Sequence, residues 1–175
     1  MSREAAAIDP ASPWVLAVLV DAYLHAGQYD SALAVSERAL ALDSTHWVSN
    51  AVRGIAEAFA GRLDAGIAHL EAARRLGGDG HGLTTSNLGW AYGRAGRRPD
   101  ALRIARLLTE RVGRGQATRM NVAYVYAGLG ESDKAFEWLA RKAGADGIWN
   151  PMLDSLRSDP RFAPLAARRW CAAGG

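Results

Sequence analysis

The chain has 175 residues, 49% of them hydrophobic and 22% charged, with a formal net charge of +3 at neutral pH. That apolar content can offset the entropy of ordering a chain, so it excludes a disordered tail and fits one globular domain or a short array of small units. A lone cysteine, Cys171, excludes an internal disulfide and a cysteine-built metal site, and fits a reducing, cytoplasmic setting.

The chain opens Met1-Ser2-Arg3-Glu4, with an early acid and no continuous apolar stretch before a cleavage site, so it does not read as a signal peptide. The longest apolar run, Trp14 to Val20, falls short of the ~20 residues that span a bilayer. The charge is unevenly spread. Residues 1–93 hold 6 basic and 10 acidic side chains, net −4, and residues 94–175 hold 15 and 8, net +7. Arginines crowd together from Arg94 through Arg97, Arg98, Arg103, Arg106, Arg111 and Arg114 to Arg119. Such a cluster attracts phosphates or an acidic protein surface, or simply solvates a helix face.

Four segments of about 34 residues align, beginning at Pro13, Trp47, Gly82 and Gln116. They divide a single domain, 1–175, into repeats at 13–46, 47–81, 82–115 and 116–149, with residues 1–12 before them and 150–175 after them. In chain order, apolar spacing predicts helices over 13–26, 29–42, 47–60, 63–76, 84–95, 99–112, 116–129 and 132–143. Ser12-Pro13 offers an N-cap followed by proline, and Asp30, Asp64 and Pro99 stand where second helices begin. The fifteenth place is always glycine (Gly27, Gly61, Gly96, Gly130), where a helix can end in a left-handed residue. The eighth place holds Val20, Gly54, Gly89 and Ala123 and the twentieth Ala32, Gly66, Ala101 and Ala135; small residues at these two places let paired helices approach closely. The eleventh place holds Tyr23, Tyr92 and Tyr126, but Glu57 in the second repeat, where Phe59 is expected to supply the missing volume.

Asn87-Leu88-Gly89-Trp90-Ala91-Tyr92 with Gly96 and Ala101, and Ala22-Tyr23 with Gly27, Tyr29-Asp30, Ala32 and Ala39, resemble the tetratricopeptide repeat. The resemblance covers about residues 13–149. It implies an all-α, right-handed superhelical solenoid of antiparallel hairpins with a concave groove, and no catalysis. Ala5 to Pro10 resembles the last turns of a preceding repeat, which would leave the first hairpin's face open. The closing segment, from Ala123 to Gly130 and then Asp154 to Phe162, resembles the repeat modules of bacterial winged-helix regulators, nucleotide cyclases and serine/threonine kinases. Phe162, Leu165 and Trp170 are expected to cap the last hairpin, with a final helix starting at Asp159-Pro160.

In the family the first helix of each hairpin lines the groove at set places. Carried over, those places point to Trp14, Asp21, Leu24, His25, Ile55, Phe59, Trp90, Arg94, Met120 and Tyr124, with Gly93 and Gly128 beside them. This surface suits a peptide or helix with large apolar side chains, with Trp90 as an anchor and Arg94 selecting an acid nearby. Asp21 argues against the carboxylate clamp of chaperone-binding members of the family.

No catalytic set, cofactor motif or metal-ligand spacing is found. His25, His46, His69 and His81 show no i,i+4 histidine pairing and no HExxH pattern, no acidic pair accompanies His69 and His81, and Gly77-Gly78-Asp79-Gly80 reads as an inter-repeat turn. The expected function is a non-enzymatic protein-interaction scaffold; the alternative is a regulatory module of a bacterial signalling protein. Residues 94–119 contain no aromatic on which a base could stack, which argues against nucleic acid. The acidic first half and basic second half allow head-to-tail self-association.

Overall fold

The computed structural model describes residues 12–77, 80–140 and 147–171, with the side chains of the last helix described to Ala167. Helices form where the 3.6-residue apolar spacing predicts them: α1 Pro13–His25, α2 Tyr29–Leu42, α3 Trp47–Phe59, α4 Leu63–Arg75, α5 Gly82–Arg94, α6 Arg98–Gly113, α7 Arg119–Gly128 and α8 Ser132–Ala140. A 3-10 helix, Pro151–Leu156, and α9, Phe162–Cys171, follow. The described residues contain no strand. The segment resembling an earlier repeat lies outside the described residues, apart from Ser12, and so does the Trp170 side chain.

The chain divides into two compact units, Met1–Asp79 and Gly80–Gly175. In the first, the hairpins α1–α2 and α3–α4 pack in sequence, with α1 also against α3. Its core includes Leu16, Val20, Ile67 and Leu70. In the second, α5–α6 and α7–α8 repeat the arrangement, α5 packs on α7, and the 3-10 helix packs on α7. Its core includes Leu88, Ile104, Leu108, Val122, Val125, Leu153 and Leu156. This is consecutive helix-hairpin packing of the kind that builds a helical repeat solenoid.

The glycine at each fifteenth place ends a helix with positive φ, from 69° at Gly27 to 81° at Gly61. The small residues of the eighth and twentieth places meet in the second repeat, at Gly54 and Gly66, whereas Gly89 faces Ile104 of α6 and Val125 of α7. A Cβ on Gly66 would lie 2.6 Å from the Gly54 carbonyl oxygen, and one on Gly89 would lie 2.6 Å from Val125 Cγ2 and 2.7 Å from Ile104 Cγ2. Three local expectations change. Ser12 takes the N-cap position, but its side chain caps nothing; its backbone carbonyl accepts from the Leu16 N–H at 3.1 Å. The first helix of the fourth repeat starts at Arg119 because Thr118 and Asn121 form a capping box there. The tail is more structured than a single last helix. Asn150 caps the 3-10 helix by accepting from the Met152 N–H, and α9 begins only at Phe162.

Candidate functional site

Glu57 is 4% exposed and, among the described residues of the first unit, is the charged side chain that is buried. Arg53, one turn earlier on α3, donates from Nε to its Oε1 at 2.8 Å. Across the hairpin, His69 Nδ1 on α4 lies 2.8 Å from Glu57 Oε2 and 3.2 Å from the Ala65 carbonyl. Both of these are acceptors, so Nδ1 carries the proton. Arg53 also donates to the Leu33 carbonyl at 3.2 Å, tying α3 to α2. An ion cluster thus fills the place where other repeats have tyrosine. Phe59 does not fill it; its ring stacks on Tyr29 of α2, centroids 6.0 Å apart. The Glu57–His69 contact is not legible from spacing along the chain, because it takes the antiparallel hairpin to bring residues twelve apart face to face.

The residues expected to line a groove fall into two sets, one in each unit. In the first unit, α1 presents an exposed Trp14, 56% accessible, whose ring stands edge-on against Trp47 at 5.5 Å. Further along α1, Asp21 and His25 are exposed, and His25 Nδ1 lies 2.9 Å from the Asp21 carbonyl and 3.4 Å from its carboxylate. Leu24 and Ile55 are buried, and Phe59 is half-buried.

In the second unit, Trp90 is 6% and Tyr124 3% exposed, and Met120 is buried as well. Gly93 and Gly128, expected on the groove face, instead form the contact between α5 and α7. A Cβ on Gly93 would lie 2.5 Å from the Gly128 carbonyl carbon, and one on Gly128 would lie 2.5 Å from the Trp90 carbonyl oxygen. Two first helices this close enclose the side chains beside them. The Tyr124 hydroxyl donates to the Gly147 carbonyl at 2.9 Å, so Gly147 lies against the hydroxyl end of this ring. Arg94 remains exposed, its guanidinium 5.9 Å from the centre of the Trp90 ring.

The arginine cluster is largely engaged within the unit. Arg97 and Arg103 both pair with Asp100 at 2.9 Å, Arg97 also covers Tyr92 at 4.4 Å, and Arg98 pairs with Glu131. Glu131 also accepts from Lys134 at 2.6 Å, and that hydrogen bond, with Arg98, holds its carboxyl below the ordinary range. In the tail, Arg161 bonds Asp159 and Asp133 and covers Phe136 at 4.3 Å, anchoring the start of α9 to α8. The Arg161 side chain and N–H hold the Asp159 carboxyl down at about 2.

An open pocket in the first unit lies against the α1–α2 turn, lined by Gly27, Gln28, Tyr29, Asp30, Ser31 and Ala60. Among the described residues no group of three or more His, Cys, Asp and Glu side chains could hold a metal. No described helix is long and apolar enough to cross a membrane.

Stacked antiparallel hairpins with glycine-ended first helices define the class of helical repeat proteins. Residues 1–47 and residues 82–106 each match the tetratricopeptide repeat family. The chain is a tetratricopeptide repeat protein, of a family whose repeats generally mediate protein–protein interaction and which is typically non-enzymatic. No curated protein matches the sequence.

Proposed function

We propose that the protein is a non-catalytic scaffold that holds a peptide or helix against the first helices of its hairpins. The observation that carries this reading is Trp14. A large ring is held in one orientation by Trp47 and still left more than half exposed, which is costly in water and suits a binding anchor. Asp21 and His25 lie along the same helix, and Ile55 and Phe59 stand on α3, which packs beside it. In the second unit the contribution centres on Arg94. With Trp90, Met120 and Tyr124 buried, the exposed guanidinium is the group suited to an acid on the partner. A regulatory role in a bacterial signalling protein is the second reading; it rests on the closing segment, whose Leu153, Leu156 and Phe162 are buried.

The test is affinity capture followed by quantitative binding of what is recovered. Trp14→Ala and Arg94→Ala should each weaken binding, Trp14→Ala by about 2 kcal/mol or roughly 30-fold, with unchanged helical content. Arg103→Ala should leave binding intact. A partner lost only when Arg103, Arg106 and Arg111 are changed would place binding on the α6 face and sink the groove reading.

A further inference from the structure

α1 is apolar almost all round; Asp21 is its one acid, and its sequence is Pro-Trp-Val-Leu-Ala-Val-Leu-Val-Asp-Ala-Tyr-Leu-His. A helix of that composition is normally covered on every side. Here one side is covered: Leu16, Val20 and Leu24 are buried. The other side carries Trp14, Val18 and Ala22, a stripe one turn apart and exposed, with Val18 68% accessible. Leu19 flanks it at 42%. No described element covers this stripe, and it lies beside the places proposed for peptide binding.

The structure points to a second copy of this chain as the occupant: we infer that two molecules pair through α1, antiparallel, about a two-fold axis at Val18. Three features of α1 support self-pairing. A two-fold axis at residue 18 sets residue 14 of one copy against residue 22 of the other. The bulky Trp14 then meets Ala22, large against small, twice. The centre of the stripe carries no charge, so nothing like-charged is brought together at the axis. The same axis places Asp21 against the partner's residue 15, in the first turn of its α1. That turn has no acid, and Ser12 does not cap it with its side chain. An exposed carboxylate there complements the positive end of the helix dipole.

The alternative, acidic unit against basic unit head to tail, has less to use. Arg97, Arg98, Arg103, Arg157 and Arg161 are already paired with acids of their own unit. One helix of about 20 Å gives less than the ~1,600 Å² of a standard interface, so pairing is weak and concentration-dependent. Trp14 and Asp21 belong to both surfaces, so pairing and peptide binding in the first unit compete.

Sedimentation equilibrium of the full chain from 1 to 200 μM tests the inference. The expected result is a shift from 18.7 kDa towards twice that mass. Val18→Arg, at an exposed position, should weaken the pairing at least tenfold while circular dichroism stays unchanged. Oxidation of Val18→Cys in a Cys171→Ser background should give a disulfide-linked dimer, because only a residue on the axis meets itself; Ala22→Cys should not. A monomer at 200 μM, whether the stripe is covered by residues 1–11 or kept for another partner, overturns the inference. So does an oligomer that survives Val18→Arg, or one whose mass keeps growing with concentration at low salt, as head-to-tail chains would. A dimer in which Val18→Cys fails to cross-link, or Ala22→Cys links equally well, overturns the two-fold register.

Discussion

Glu57 departs from the tyrosine found at its place in the other repeats, and the departure is compensated by two hydrogen-bond donors from different helices, the Arg53 guanidinium and His69 Nδ1. Removing the carboxylate leaves Arg53 and His69 without their shared acceptor. Both keep some access to water, so Glu57→Ala should destabilise by about 3 kcal/mol, the lower end for breaking a buried pair. Replacing Glu57 and Arg53 with Met and His69 with Leu together should cost less, because no charge is then stranded; urea denaturation of the single and triple variants measures the difference. Asp159 behaves differently because it is only half-buried. Its folded value of about 2 lies below the ordinary 3.8. The contact with Arg161 is therefore at full strength above about pH 4, and it weakens as pH falls through 2. Carboxyl NMR titration should show that midpoint in the native chain and a return towards 3.8 in Arg161→Ala.

At the scale of the helix pair, glycine sets the distance. Gly54 and Gly66 face each other across the α3–α4 hairpin, and a Cβ on either would press on backbone atoms, which cannot rotate away. Gly66→Ala should cost about 1–3 kcal/mol. Gly113, at the end of α6, has nothing within 4 Å of an added Cβ. Gly113→Ala should be neutral or stabilise by up to about 0.5 kcal/mol, through lower entropy of the unfolded chain. Thermal denaturation of the pair separates close approach from a general effect of helix propensity. α5 and α7 use the same device between first helices, at Gly93 and Gly128, and there it encloses Trp90. Trp90→Ala is accordingly a core truncation, expected to cost about 3–5 kcal/mol, and it cannot serve as a clean probe of binding.

Over the whole molecule, each unit has its own buried core and its own hairpin contacts. The charge divides at the same point. Residues 80–93 carry no ionised side chain, so the first unit keeps net −4 and the second net +7. Independent cores should respond independently. Gly89→Leu forces a side chain against Val125 and Ile104 and should lower amide protection in α5–α8 by about 1–3 kcal/mol. Hydrogen exchange in α1–α4 should not change. Equal loss of protection in both units would show that they unfold as one.

By itself the sequence determined the helices, their pairing into hairpins and the close contacts at Gly54, Gly66 and Gly89. These follow from local rules: apolar spacing, a left-handed glycine after each first helix, and a small residue wherever two backbones touch. It also carried the family, because the signature residues are those same contacts. Tertiary structure alone decided which first-helix positions face water. Trp14, the second residue of α1, and Trp90, the ninth of α5, both fall on places that the repeat assigns to its groove, yet one is exposed and the other enclosed. The difference lies in the close approach of α5 and α7 at Gly93 and Gly128, because Gly128, distant in sequence, is brought against the Trp90 backbone only by the fold. The Glu57–His69 contact was hidden for the same reason: exposure and long-range pairing depend on neighbours brought together by folding, and periodicity along one helix does not encode them.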